Sequence, residues 1–143
     1  MNFRFSMVFL MFFALGFSQD LTVMSFNIRL NVESDKDNAW PKRKQDVADL
    51  LTYYHPDYFG VQEALPEQMK DIKSGLKNYE YIGVGRDDGK EKGEFSAIFY
   101  DTTKLEIVKS GTFWLSETPE KPSKGWDAAL NRICTYAVFK DKK

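Results

Sequence analysis

Two apolar runs, LTVMSFNI at residues 21–28 and YFGVQ at residues 58–62, enclose a stretch with a helical pattern. Short apolar runs rich in β-branched and aromatic residues are typical of buried strands. Between them, Pro41 suits the first turn of a helix, and His55-Pro56 would end that helix. The apolar residues spaced for one helical face are Val47, Leu50, Leu51 and Tyr54. We therefore predict two parallel strands joined by a helix in a right-handed crossover.

The chain downstream of this unit becomes rich in strands. Pro66 is placed to open a second helix, whose inner face would be formed by Leu65, Met69, Ile72 and Leu76. Four further strands are predicted, at Tyr79–Val84, Phe95–Tyr100, Leu105–Leu115 and Arg132–Phe139. Because the connections between these strands are short, they favour antiparallel pairing. The predicted fold class is α/β, a sandwich with mixed sheets.

Composition narrows the range of functions. The chain has 143 residues, with 20 Lys and Arg against 21 Asp and Glu, which excludes a histone-like nucleic-acid binder. A hydrophobic content of 43% indicates a folded chain, and the length allows at most one domain. The single cysteine, Cys134, excludes an intramolecular disulfide framework, and we expect it to be a small buried group within its strand.

The first 18 residues have the pattern of a secretory signal peptide. One charge, at Arg4, precedes an apolar run from Phe5 to Phe17 that is too short to span a bilayer. Cleavage between Ser18 and Gln19 would leave residues 19–143 in the periplasm or outside the cell. The alternatives are a buried first helix and an uncleaved anchor.

Two polar residues mark the carboxyl ends of the predicted parallel strands. Asn27 and Glu63 lie at the carboxyl ends of those strands, where open α/β sheets usually bind ligands. A carboxylate there can hold Mg²⁺, which takes one or two protein carboxylates and keeps waters or substrate phosphates. An amide can contact the metal or orient a phosphate without adding charge. The alternative is that both residues only form turns at strand ends.

Other polar groups are weaker candidates. Glu94 precedes a strand and Arg132 opens the last one, where it could bind a phosphate in bidentate fashion; each could equally be an ordinary surface charge. The run GRDDGK at residues 85–90 is not a P-loop, and we interpret it as an exposed charged loop. We expect His55 to be a loop residue remote from Asn27 and Glu63. Trp114 and Trp126 are expected to be packing residues.

These motifs together resemble the endonuclease/exonuclease/phosphatase superfamily, and in particular its exported bacterial members of the Bacteroidetes type. The matching segments are MSFNIR at 24–29, GVQE at 60–63, GRDDGK at 85–90, GEFSAIFY at 93–100 and GWDAALNR at 125–132. The resemblance implies a four-layer, DNase I-like α/β sandwich. It also implies cleavage of phosphate esters with Mg²⁺, or Mn²⁺ in its place.

The resemblance also assigns roles to single residues. Glu63 matches the metal-binding glutamate of the family, and Asn27 matches an asparagine near the metal and the phosphate. Glu94 stands where pancreatic-type DNases have a glutamate that orients the catalytic histidine. Arg132 stands where related nucleases have an arginine that contacts phosphate. The implied substrate is a phosphate ester, either a nucleic acid, a phospholipid or a sugar phosphate, and no stable protein partner is expected.

The family motifs of the second half are missing from this sequence. Those motifs are a histidine in an Asn-Thr-His-type strand, a Gly-Asp-x-Asn segment and a terminal Asp-His pair. Because water activation needs a base as well as a metal, we expect residues 19–143 to be the N-terminal half of such a domain and to be inactive alone. The alternative is a secreted binding or structural module that lacks catalysis.

Overall fold

The computed structural model describes residues 21–143, so the signal peptide predicted for residues 1–18 lies outside the described residues. Its strands and α-helices in chain order are β1 (Val23–Asn27), α1 (Trp40–Tyr54), β2 (Tyr58–Ala64), α2 (Pro66–Gly75), β3 (Tyr79–Ile82), β4 (Phe95–Asp101), β5 (Leu105–Trp114) and β6 (Ile133–Asp141), with a 3-10 helix at Glu33–Asn38 before α1. Neither α-helix in this range has the length and apolar character needed to cross a membrane.

The predicted strand–helix–strand unit is present. β1 and β2 are parallel, with pairing that runs from Val23 opposite Tyr58 to Asn27 opposite Gln62. Pro41 lies in the first turn of α1, as expected for a residue without an N–H donor. The helix ends at His55, which has a left-handed backbone and donates its N–H to the Leu51 carbonyl. Asn27 therefore lies at the carboxyl end of β1, beside the carboxyl end of β2.

The core lies between the helices and one face of a four-stranded sheet. The strand order is β1-β2-β4-β3, and the pairs after the first are antiparallel, as predicted. Alternate residues of β2 and β4 point toward the helices, and the rings of Phe59 and Phe99 stack there with centroids 5.0 Å apart. Leu51 of α1 and Met69 and Ile72 of α2 are buried in the same cluster.

A second sheet packs on the other face. β5 and β6 form an antiparallel pair, and the ring of Phe139 lies 5.6 Å from that of Tyr58 and 5.2 Å from that of Tyr100. Tyr58 and Tyr100 occupy the strand positions between those that face the helices. The described residues therefore form three layers, in the order helices, four-stranded sheet and two-stranded sheet, and the predicted mixed α/β class is confirmed.

Several local expectations were wrong. β1 was expected to be buried, but it pairs only with β2 among the described strands, and Val23 is exposed. Leu50 and Tyr54 have the correct helical spacing, yet both are exposed. The buried face of α1 is instead formed by Trp40, Val47 and Leu51. Cys134 is only half-buried, since its side of β6 faces away from the four-stranded sheet.

Candidate active site

A β-bulge fixes the direction of Glu63. Val61 pairs with Ala97 and Ala64 pairs with Phe95, so Gln62 and Glu63 together stand opposite one residue of β4. Glu63 has a φ of 62°, in the left-handed region that glutamate rarely adopts. Bulges of this kind re-aim a side chain beside an active site, and strained backbone conformations concentrate at such positions.

Hydrogen bonds hold the Glu63 carboxylate in one orientation. Oε1 accepts a bond from Asn27 Nδ2 at 2.8 Å, and Oε2 accepts one from the Leu30 N–H at 3.2 Å. Asn27 Oδ1 in turn accepts from the Arg29 N–H at 2.9 Å, which fixes the amide. The bond from Asn27 is the main reason that the pKa of Glu63 lies below its usual value. The carboxylate is therefore ionised at neutral pH.

Gln68 of α2 supports the loop that carries these contacts. Its side chain is fully buried, and Oε1 accepts from the Asn31 N–H at 3.0 Å and from the Leu65 N–H at 3.1 Å. Nε2 donates to the Arg29 carbonyl at 2.9 Å. One side chain thus joins the start of α2 to the loop that follows β1, and so links Asn27 to the helix layer.

The opposite wall is formed by the loop after β3 and the start of β4. Arg86 Nη2 lies 2.8 Å from Glu94 Oε1, and the Arg86 N–H donates to the Glu94 carbonyl at 3.1 Å. Two distant residues fix the Arg86 carbonyl: Trp114 Nε1 donates to it at 2.7 Å and Asn131 Nδ2 at 3.1 Å. Arg86 is only 9% exposed, so the GRDDGK run is not the fully exposed loop that its composition predicts.

A cavity of about 250 Å³ lies between these walls. It is lined by Asn27, Gln62, Glu63, Arg86, Glu94, Ser96, Asn131, Arg132 and Ile133. All four residues singled out in the sequence for this site are therefore in one place, although Arg132 precedes β6 instead of opening it. Their chemical roles stay predictions. His55 caps the far end of α1, where its Nδ1 lies 3.3 Å from the hydroxyl of Tyr79.

Gln68 and Asn131 are not among the site residues predicted from the sequence, and Arg86 has no predicted role. Gln68 had a usable signal, because it is the third residue of a helix that Pro66 opens, where a side chain can reach back to the preceding backbone. Arg86 and Asn131 had none, since the contact between them joins segments 45 residues apart. Trp114 is a packing residue as expected, whereas Trp126, expected to pack, is 76% exposed.

The side chains around the cavity fit a magnesium ion better than a soft metal. Its possible donors are all oxygen atoms, with no cysteine or histidine among the lining residues: the carboxylates of Glu63 and Glu94, the amides of Asn27, Gln62 and Asn131, and the hydroxyl of Ser96. Mg²⁺ accepts such a sparse set because it keeps several waters, whereas zinc prefers cysteine and histidine ligands. Within residues 21–143, no group of three or more His, Cys, Asp or Glu side chains is arranged to hold a metal ion.

The fold of this chain is similar to the folds of solved structures from Bacteroides. A mannosyl-6-phosphatase from Bacteroides thetaiotaomicron is 54% identical to this chain, with a TM-score of 0.83 over 86% of this chain and 47% of that protein. An endonuclease/exonuclease/phosphatase from Bacteroides vulgatus is 44% identical, with a TM-score of 0.85 over 87% of this chain and 48% of that one. The fold described above is the fold of these relatives.

A mammalian protein is also similar to this chain. Tyrosyl-DNA phosphodiesterase 2 from Bos taurus is 29% identical over 89 residues, which cover 62% of this chain and 23% of that protein. The relatives named for an activity thus act on phosphate esters. This chain spans less than half the length of each of the three relatives.

A family model matches most of the described residues. The model of the endonuclease/exonuclease/phosphatase family covers residues 24–126, a range that includes both Asn27 and Glu63. The chain belongs to the endonuclease/exonuclease/phosphatase family.

Proposed function

We propose that this chain supplies the metal-binding and phosphate-binding side of a Mg²⁺-dependent phosphoester hydrolase. The observation that carries the proposal is the Glu63 carboxylate. It is held ionised on a strained bulge and lines the same cavity as Arg86 and Arg132. Fixed charge of both signs in one cavity suits an anionic substrate that is bound together with a cation.

Each polar residue has a distinct part in this proposal. Glu63 would hold Mg²⁺, and Asn27 would keep the carboxylate oriented through the 2.8 Å hydrogen bond. Bound Mg²⁺ supplies charge neutralisation at the phosphoryl oxygens. Arg132, exposed at the rim of the cavity, is placed to bind the phosphate of an incoming ester. Glu94, expected to be catalytic, would act through the arginine that it contacts.

Water activation calls for a further side chain. His55 is the sole histidine of the sequence, and it lies at the end of α1 remote from the carboxyl ends of β1 and β2. Neither Glu63 nor Glu94 is free to serve as a base if one holds the metal and the other is paired with Arg86. We therefore expect residues 19–143 alone to bind metal and phosphate without turning over an ester.

The proposed substrate class is a phosphorylated sugar. A relative that is 54% identical is named a mannosyl-6-phosphatase. The tyrosyl-DNA phosphodiesterase described above is only 29% identical, so it is weaker support for a nucleic-acid substrate. The chain has a formal net charge of −1, which gives no support for tight nonspecific binding to DNA. Nucleic acid and phospholipid are the alternatives that a substrate panel would separate.

A chimera tests the proposed function directly. Residues 19–143 would replace the matching part of the Bacteroides thetaiotaomicron mannosyl-6-phosphatase, and phosphate release from mannose 6-phosphate would be measured with Mg²⁺. We expect activity that Glu63→Gln lowers at least about a hundredfold, in line with removal of a group that stabilises the transition state. Glu106→Gln, an exposed change on β5, is the matched control. A folded chimera that is equally active with Glu63→Gln would refute the proposal.

Export is the remaining part of the proposal. The N-terminal pattern of one charge, a short apolar run and small residues before Gln19 supports cleavage and release to the periplasm or the medium. Expression in a Gram-negative host followed by N-terminal sequencing would test it. We expect the mature chain to begin at or near Gln19, and retention of Met1 would rule out cleavage.

A further inference from the structure

The guanidinium of Arg86 is buried with one donor, Nε, left unpaired. The residue is 9% exposed, and Nε is inaccessible to solvent yet has no hydrogen-bond partner. Its ion-pair contacts are Nη2 to Glu94 at 2.8 Å and Nε to Asp87 at 3.9 Å. A buried charged group with an unpaired donor is costly, so Arg86 calls for a functional explanation.

Two other arginines of this chain have guanidinium groups whose donors are well supplied with hydrogen-bond acceptors. Arg29 Nε and Nη2 each donate to the Asp35 carboxylate at 2.7 Å. Arg43 uses three nitrogens to donate to backbone carbonyls, at 2.5 to 2.8 Å. Arg86 is more buried than either and less well bonded. The protein therefore holds Arg86 in place without supplying the acceptors that a structural arginine receives.

The backbone of Arg86 is fixed even though its side chain is not saturated. Its N–H bonds to the Glu94 carbonyl, and its own carbonyl accepts from Trp114 and Asn131. The loop is closed further by Asp88, which accepts from the N–H groups of Lys90 and Lys92. Preorganised anion binding needs a positively charged group that is held rigidly at the wall of a cavity and still has an unpaired donor.

We infer that Arg86 binds the phosphate group of the substrate, and that Glu94 is the positioning residue that holds Arg86 toward the cavity. The inference rests on the proposed function and adds to it a substrate-binding residue from the GRDDGK loop. An oxyanion in the cavity would supply acceptors to the part of the Arg86 guanidinium that lines it, beside the Nη2–Glu94 contact. Together with Arg132, Arg86 would place two cations on the phosphate and leave Glu63 for the metal.

Inorganic phosphate is the probe, and NMR of the full chain is the readout. Phosphate would be titrated with the Arg Nε–H and Trp indole N–H signals followed, against sodium chloride at matched ionic strength. We expect the Arg86 Nε–H signal to shift, together with that of Trp114, whose indole bonds to the Arg86 carbonyl. The Trp40 indole, which bonds to Asp71 among the helices, is the internal control and should not move.

Variants separate a binding role from a structural one. Arg86→Gln should raise the phosphate dissociation constant at least about tenfold, and Arg86→Lys should raise it less because charge is kept and the planar fork is lost. Lys109→Gln, on the exposed side of β5, should leave it unchanged. If Arg86→Gln does not fold, the wild-type titration and Arg86→Lys still decide the question.

The inference is overturned by either of two results. One is that up to about 100 mM phosphate, a hundredfold above a millimolar Kd, moves neither the Arg86 nor the Trp114 signal. The other is that a folded Arg86→Gln binds phosphate as tightly as wild type. If phosphate binds at Arg86 but the chimera hydrolyses no ester, the proposed function fails alone. If the chimera is active and phosphate leaves Arg86 untouched, this inference fails alone.

Discussion

The pKa of Glu63 is lowered by a small set of neighbours, of which Asn27 has the largest effect. Burial acts in the opposite direction, and the Leu30 N–H and two arginines act with Asn27. Because the pKa in the folded chain lies below its ordinary value, the interaction stabilises the fold above the unfolded pKa of about 4.3. That stability is lost as the pH falls through the folded-state pKa.

Asn27→Ala should raise the pKa of Glu63 toward its ordinary value, since the substitution removes the 2.8 Å hydrogen bond to Oε1. Carbon-13 NMR of the Glu63 carboxyl during a pH titration measures this shift. The midpoint is expected to move to higher pH in the variant. Asn38→Ala, a change of the same type in the 3-10 helix, is the control. An unmoved midpoint in Asn27→Ala would mean that the amide does not lower the pKa of Glu63.

Residue positions in the site could be predicted only where strand ends determine them. Asn27 and Glu63 lie at the carboxyl ends of two parallel strands, so topology alone places them together, and both line the cavity. The bulge that turns Glu63 inward left no trace in the sequence, because it depends on how β2 and β4 pair. The burial of Arg86 could not be predicted because polar loops are usually exposed. It depends on contacts with Trp114 and Asn131, which are distant in the sequence.

At the scale of elements, Gln68 connects α2 to the loop after β1. Gln68→Ala would leave three backbone groups without their partner: the N–H groups of Asn31 and Leu65 and the carbonyl of Arg29. We expect the free energy of unfolding to fall by about 3 kcal/mol, since each buried unpaired group costs roughly 1–3 kcal/mol and water can reach some of them. Urea denaturation is the measurement.

Gln45→Ala provides the comparison for Gln68→Ala. Gln45 lies on the exposed face of α1, where its side chain donates to Asp49 at 2.8 Å. The same chemical change there should alter stability by no more than about 0.5 kcal/mol. Equal effects of the two substitutions would show that Gln68 does not support the loop as described.

The elements themselves were largely predictable, while their faces were not. Pro41, Pro66 and the apolar spacing placed both α-helices, because proline and helical periodicity act locally. The spacing could not choose between Leu50 and Leu51, which are about 100° apart on the helix; packing against α2 and the sheet buries Leu51 alone. Whether a strand lies at the edge of a sheet also depends on distant parts of the chain, which is why β1 was predicted to be a buried strand.

At the scale of the whole molecule, the outer face of the two-stranded sheet exposes several apolar side chains beside charged ones such as Lys109. Phe113, Tyr136 and Val138 lie on that face, on the side of β5 and β6 opposite the residue that packs on the four-stranded sheet, Phe139. Exposed contiguous apolar groups of this kind bind hydrophobic dyes and favour self-association. The expected behaviour of the chain in solution is therefore dye binding together with a cooperative unfolding transition of the buried core.

Val138→Lys should lower the fluorescence of the dye ANS and reduce aggregation without a stability change greater than about 0.5 kcal/mol, because Val138 is on the surface. Glu106→Lys adds positive charge to the same sheet but removes no apolar group, so it should not lower the fluorescence of this anionic dye. Undiminished ANS fluorescence in Val138→Lys would place the dye-binding surface elsewhere.

The central claim is that Glu63 holds Mg²⁺, and calorimetric titration of the chain with Mg²⁺ tests it most directly. Wild type and Glu106→Gln are expected to bind the ion with the same affinity. Glu63→Gln should bind it at least about tenfold more weakly, a loss of about 1.4 kcal/mol or more, because it removes the charged ligand and keeps the shape. Equal Mg²⁺ affinity in wild type and Glu63→Gln would contradict the account.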